Sequence, residues 1–201
     1  MKERSASHIR KLVVTGALGA LAVFLGITKL GFIPWFTGIS ITIIHIPAIL
    51  GAVLEGPLVG SGIGAIFGLF SMIQANIGPN GPIDLAFRNP LVSVLPRILF
   101  PVATWGIYAL VAKWKKIPAV VIAAAAGSVI HTVLVLGMLV LTNGSGILTG
   151  GDPAVTVWAV LGAIFAANGI PEAIAAAVLS TVVVAAKLGI NSANRKSKLN
   201  S

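Results

Sequence analysis

Three polar side chains spaced four residues apart, Asn89, Ser93 and Arg97, share one helix face inside an apolar stretch. An arginine at the centre of a bilayer costs at least ~2.5 kcal/mol on insertion scales, so Arg97 has to face protein, water or an anion. The chemistry open to it is a guanidinium grip on a carboxylate or phosphate. The structural alternatives are snorkelling to headgroups or an ion pair with Asp84. Arg88, closer to the helix end, has both readings too. His45 lies in the apolar run before, at a depth like that of Arg97. It serves either a ligand or a neighbouring helix, because Pro47 frees a backbone carbonyl nearby. Ser128 and His131 share a face of a later run, and Asn168 and Glu172 share one in the last, around Gly169 and Pro171. Polar contacts between membrane helices contribute only ~0.6–2 kcal/mol. Such a contact is the reading preferred for Glu172, while His131 and Asn168 stand as candidate ligand contacts. Gln74 and Asn76 end the third run beside a loop, and Trp35, Phe36 and Trp158 bring aromatic surface to the same side.

The elements that must position these residues follow from composition. The chain of 201 residues is 57% hydrophobic and 9% charged, with a mean hydropathy of +1.01. A soluble fold carries about 25% charged residues, so hydrocarbon is the solvent expected for most of this surface. At about 20 residues per spanning helix, the pattern predicts an all-α membrane protein of six transmembrane helices. Their expected ranges are 12–30, 39–54, 58–77, 90–112, 118–141 and 154–186. The breaks fall at Gly/Pro-rich or basic segments: 31–38, Gly56-Pro57, 78–89, 113–116 and 142–153. Residues 1–187 read as one transmembrane domain and 188–201 as a polar cytoplasmic tail. The basic N-terminus before the first run resembles a signal peptide, but the run is long, and we read it as a retained span.

Lysine and arginine placement sets the expected orientation. With the N-terminus inside, eleven of the fourteen Lys and Arg residues fall in inner segments; Lys29, Arg88 and Arg97 fall toward the outside. Both termini are then cytoplasmic, the inner connections are short, and the longer, irregular loops are external. Loops of that kind commonly carry function, which predicts a site open to the outside.

Other chemistries lack their residues. The chain has no cysteine, which excludes disulfides and thiolate chemistry. No GxxxxGK[ST] loop is present for a Walker-type ATPase, and no HExxH or histidine cluster for a metal. Ser61 within Gly60-Ser61-Gly62 invites comparison with an intramembrane protease, but it lies near the inner end of its span and His131 near mid-membrane. Small residues recur four apart at Gly16/Ala20, Ala22/Gly26 and Gly60/Gly64/Gly68, which allows helix backbones to approach closely, within this bundle or against another membrane protein.

Four stretches, HIPAILGAVLEGPLVG (45–60), GAIFGLFSMIQ (64–74), NPLVSVLPRILF (89–100) and NGIPE (168–172), together with size and span pattern, carry a family resemblance. The sequence resembles the S components, the substrate-binding membrane subunits of energy-coupling factor transporters that take up vitamins in bacteria. The resemblance implies a non-enzymatic subunit of the bacterial cell membrane that captures a vitamin at its outer face. It implies association with a transmembrane coupling protein and two cytoplasmic ATPases, which bind the ATP; this chain then holds no cofactor. Gly16 and Ala20 are the nearest match to the family's Ala-x-x-x-Ala contact with the coupling protein. A positive outer site at Arg97, with Arg88 and His45, favours an anionic ligand, and the resemblance is nearest to pantothenate-type members. Cobalamin, pyridoxine or pyridoxamine, and hydroxymethylpyrimidine remain alternatives, as does a stand-alone secondary carrier, though no internal repeat is visible.

Overall fold

The computed structural model describes residues 2–34, 40–79, 82–144, 146–152 and 154–199. In chain order these form α1 (Lys2–Ile27), β1 (Phe32–Pro34), β2 (Ser40–Thr42), α2 (Ile46–Glu55), α3 (Pro57–Ile77), α4 (Pro82–Ala86) and α5 (Pro90–Ser93). There follow α6 (Leu95–Val111), α7 (Lys116–Asn143), α8 (Gly146–Thr149), α9 (Val157–Ile164), a π-helical turn (Phe165–Gly169) and α10 (Ile170–Leu199). Among the described residues, five segments are long and apolar enough to cross a bilayer: Ala6–Ile27, Pro57–Ile77, Pro90–Val111, Lys116–Asn143 and Val157–Gly189. The protein is a multi-pass helical membrane protein.

The second expected span is built differently. Residues 39–54 were read as one helix, but the described part is a strand followed by the ten-residue helix α2. At ~1.5 Å per residue α2 covers about half of the ~30 Å hydrocarbon core. The run Ile41-Thr42-Ile43-Ile44 is β-branched, which favours extended backbone. Pro47 then sits in the first turn of α2, where a missing N–H costs nothing. β2 pairs antiparallel with β1, Ile33 opposite Ile41, so the extended backbone is hydrogen-bonded along the edge they share. α2 is enclosed, with Ile46 to Val53 all buried against neighbouring helices.

The turn from α2 to α3 is a single residue, Gly56, whose φ of 103° lies in the region glycine alone adopts readily. At that end Glu55 pairs with Arg10 of α1, and Lys187 of α10 lies 3.5 Å away. One buried carboxylate thus links α1, α2 and α10. The region read as a polar tail from residue 188 continues α10 to Leu199.

Small residues decide which helices touch. Gly60, Gly64 and Gly68 form a groove along α3 that receives α5 and α6: Gly64 lies under the Arg97 carbonyl, and Gly68 under the Ser93 carbonyl and Val94 Cα. Ser61 Oγ donates to the Ile98 carbonyl at 2.9 Å, stitching the same seam. The hydroxyl considered for hydrolysis is therefore a packing contact. On α1, Gly19 and Gly26 face Ile66 and Phe70 of α3, whereas Gly16 and Ala20 lie on the exposed side.

Candidate functional site

A cavity of about 730 Å³ opens at the end of the bundle opposite the Arg10–Glu55–Lys187 cluster. The end of α1 gives it Lys29; the ribbon and the residues after it give Phe32, Thr42 and Ile44. α3 contributes Phe67, Phe70, Ser71, Gln74 and Ala75, and the α4 region Asp84 and Phe87. Arg97 enters from α6, His131, Thr132, Val135 and Leu136 from α7, and Ile164, Asn168 and Glu172 from the last helical segment.

Arg97 owes its position to two prolines. Pro96 has no N–H, so the Val92 carbonyl four residues earlier loses its helical partner. The helix breaks between α5 and α6 at Val94, and Arg97 Nη1 donates to the Val92 oxygen at 2.5 Å. Pro101 likewise leaves the Arg97 carbonyl without its helical donor, and that oxygen is the one packed on Gly64. The guanidinium carbon lies 4.9 Å from the Phe87 ring centroid and 5.4 Å from that of Phe67. Aromatic faces at such distances stabilise a desolvated cation by up to ~2 kcal/mol. Arg97 is 5% exposed, and its Nε is buried without a protein partner.

His131 is the second buried polar group on the cavity wall. It stacks on His45, with centroids 5.2 Å apart and planes 8° from parallel, and meets the Phe100 edge at 4.8 Å. His45 Nε2 is 3.0 Å from Ser128 Oγ. His45 is therefore the layer behind His131 and does not line the cavity. Neither ring nitrogen of His131 has a protein partner.

The last helical segment is irregular where it meets the cavity. Pro171 cannot donate to the Ala167 carbonyl, and the chain adopts a π turn closed by Ile170 N–H to the Phe165 carbonyl. Gly169 makes room for the Phe165 ring, whose Cδ2 would lie 2.8 Å from an added Cβ. The turn presents Asn168 to the cavity with its Oδ1 buried and unpartnered. Glu172 Oε1 accepts from the Thr42 N–H at 2.8 Å, fastening the ribbon to α10.

A family model for the substrate-specific component of ECF transporters matches residues 10–184. The chain belongs to this family. It is thus a transporter component. It is also similar to the pantothenic acid transporter PanT of Lactococcus lactis subsp. cremoris (strain MG1363), 28% identical over 202 residues, which cover 92% of this chain and 96% of that relative.

Of the residues singled out in this substrate-specific component from sequence, Arg97, Gln74, His131 and Asn168 line the cavity. Asn89 instead caps α5, accepting from Leu91 N–H at 3.0 Å, and Ser93 Oγ donates to the Asn89 carbonyl at 3.1 Å. Neither lines the cavity, because both side chains are taken up by the start of the helix. Arg88 Nε donates to the Ala75 carbonyl at 3.1 Å, tying the loop to α3. Asn76 Nδ2 bonds back to the Met72 carbonyl on the exposed side of α3. Trp158 is 78% exposed on α9 and outside the cavity. Trp35 and Phe36 lie outside the described residues. The cavity is also lined by Lys29, Ser71, Thr132 and Glu172, of which sequence reasoning had weighed Glu172 alone, as a structural contact. Ser71 lies three residues before Gln74 and Thr132 adjoins His131, so their helix faces were available signals.

Proposed function

We propose that this substrate-specific component captures pantothenate in the cavity at the outer face of the bacterial cell membrane. It then delivers the vitamin inward with a transmembrane coupling protein and two cytoplasmic ATPases. The observation that carries this reading is Arg97: a buried guanidinium, sandwiched by Phe67 and Phe87, with Nε directed at no protein acceptor. A ligand carboxylate would satisfy it with a charge-assisted hydrogen bond. The 28% identity to the pantothenic acid transporter supports the same choice. The basic residues at the end opposite the cavity support cytoplasmic termini, with the ribbon and α2 completing a sixth crossing. Gly16 and Ala20 on the exposed face of α1 are the surface offered to the coupling protein.

Arg97→Gln in the purified chain should weaken pantothenate binding ten-fold or more, given ~1.5–3 kcal/mol for a hydrogen bond to a charged group. Isothermal titration measures it, with size-exclusion chromatography as the check on folding. Wild-type affinity in a folded Arg97→Gln chain refutes the role of Arg97. Asp84 and Glu172 also line the cavity, which favours an amine-bearing ligand such as pyridoxamine as the second reading. Tighter binding of pyridoxamine than pantothenate in the same titration would select it. Co-purification of two ATPases from native membranes separates this role from that of a stand-alone carrier.

A further inference from the structure

Four buried polar atoms around the cavity have no protein partner: Arg97 Nε, both ring nitrogens of His131, and Asn168 Oδ1. Leaving such groups unmade is costly, and their types are not interchangeable. Arg97 Nε–H needs an acceptor. A neutral imidazole carries one N–H and one lone pair, so His131 needs one acceptor and one donor. Asn168 Oδ1 needs a donor. The complement is a molecule with two acceptors and two donors, its anionic acceptor at Arg97. A ligand that only accepts, such as a simple phosphate or a dicarboxylate, would leave His131 and Asn168 unsatisfied.

The surroundings separate these roles. Arg97 lies between two phenylalanine rings on the α6 side. His131 is held by stacking on His45 and by the Phe100 edge, contacts that use ring faces and edges and leave both nitrogens without a protein partner. Asn168 is presented by the π turn of the last helical segment, a different element from the one that carries Arg97. π turns inside α-helices often occur where a helix serves a site.

We infer that Asn168 and His131 form a second subsite, distinct from the Arg97 anchor, that reads hydroxyl or amide N–H donors on the uncharged part of the ligand. The assignment rests on the pantothenate reading for the identity of that ligand: a carboxylate and an amide oxygen supply the acceptors, and the two hydroxyls the donors. A site built to hydrogen-bond a hydroxyl discriminates strongly against the analogue that lacks it, because the site's polar groups are then left unpaired.

The test is a ligand–mutant cycle on the full chain in detergent. The probes are pantothenate and the acyl-β-alanine analogue that keeps the carboxylate and amide but lacks both hydroxyls. Wild type should prefer pantothenate at least ten-fold. Asn168→Leu, and separately His131→Phe, which keeps the ring stack, should weaken pantothenate about ten-fold and the analogue less than three-fold, so the preference collapses. Arg97→Gln should weaken both ligands alike. Equal losses for both ligands in Asn168→Leu and His131→Phe, or no loss for either, would overturn the second subsite while the pantothenate reading stands. If wild type binds no pantothenate, that reading falls. The compound found by mass spectrometry after purification of wild type then becomes the probe: its loss from folded Asn168→Leu upholds the subsite, and its retention at wild-type level overturns it.

Discussion

Replacing Gly68 by alanine tests whether the α3 groove sets the position of Arg97. A Cβ at Gly68 would lie 2.7 Å from the Ser93 carbonyl oxygen and 2.8 Å from Val94 Cα. Ordinary contacts of these types begin near ~3.3 Å for carbon to carbonyl oxygen and ~3.5 Å for carbon to carbon. The α5–α6 break must therefore retreat by roughly 0.6–0.7 Å on these contact distances. Both opposing atoms are backbone, so no side chain can swing aside. Overpacking of this kind costs ~1–3 kcal/mol, against a gain of ~0.8–1 kcal/mol from replacing glycine within a helix. A net loss of up to ~2 kcal/mol is expected. The same backbone shift moves Val92, which holds Arg97 Nη1, so ligand affinity should fall by about ten-fold, or ~1.4 kcal/mol. Thermal unfolding followed by tryptophan fluorescence and titration with pantothenate read the two effects. Gly106→Ala and Gly137→Ala are the controls, because nothing lies within 4 Å of a Cβ at either site; they should match or exceed wild-type stability. A Gly68→Ala chain as stable and as tightly binding as those controls refutes the argument.

Two more predictions follow from the site. Glu172→Ala removes the acceptor of the Thr42 N–H; at ~1.5–3 kcal/mol for a charged acceptor, hydrogen exchange at residues 40–44 should accelerate by about ten-fold or more, and unchanged protection would show that the ribbon is held by other means. Trp158→Phe should leave ligand affinity within about two-fold, since the indole is 78% exposed and outside the cavity; a ten-fold loss would place α9 in the site after all.

Much of the architecture was legible in the sequence because hydrocarbon imposes a simple length rule. The ranges expected for the third, fifth and sixth spans match α3, α7 and the Val157–Gly189 segment within a few residues. The segment at 39–54 was misread because apolarity alone cannot separate a helix from buried extended chain; its β-branched run was the available clue. Arg97 was found from the cost of placing it, but the four-residue spacing that grouped it with Asn89 and Ser93 did not show that those two side chains are taken up at the start of the helix. The stacking of His45 on His131 joins residues 86 positions apart, and nothing local encodes such a pairing.

The π turn at Phe165–Gly169 also separates two tasks along a single rod. Each residue of an α-helix advances the azimuth by about 100°, so the extra residue in this turn re-phases everything downstream. The faces of α9 and α10 are consequently offset: α10 is fastened through Glu172 to the ribbon, while α9 buries none of its residues. Deleting one residue between Phe165 and Gly169 would restore regular winding and leave an intact span, yet rotate Asn168 away from its present heading. A lineage changing its cargo could thus alter recognition by indel here while conserving the anchor.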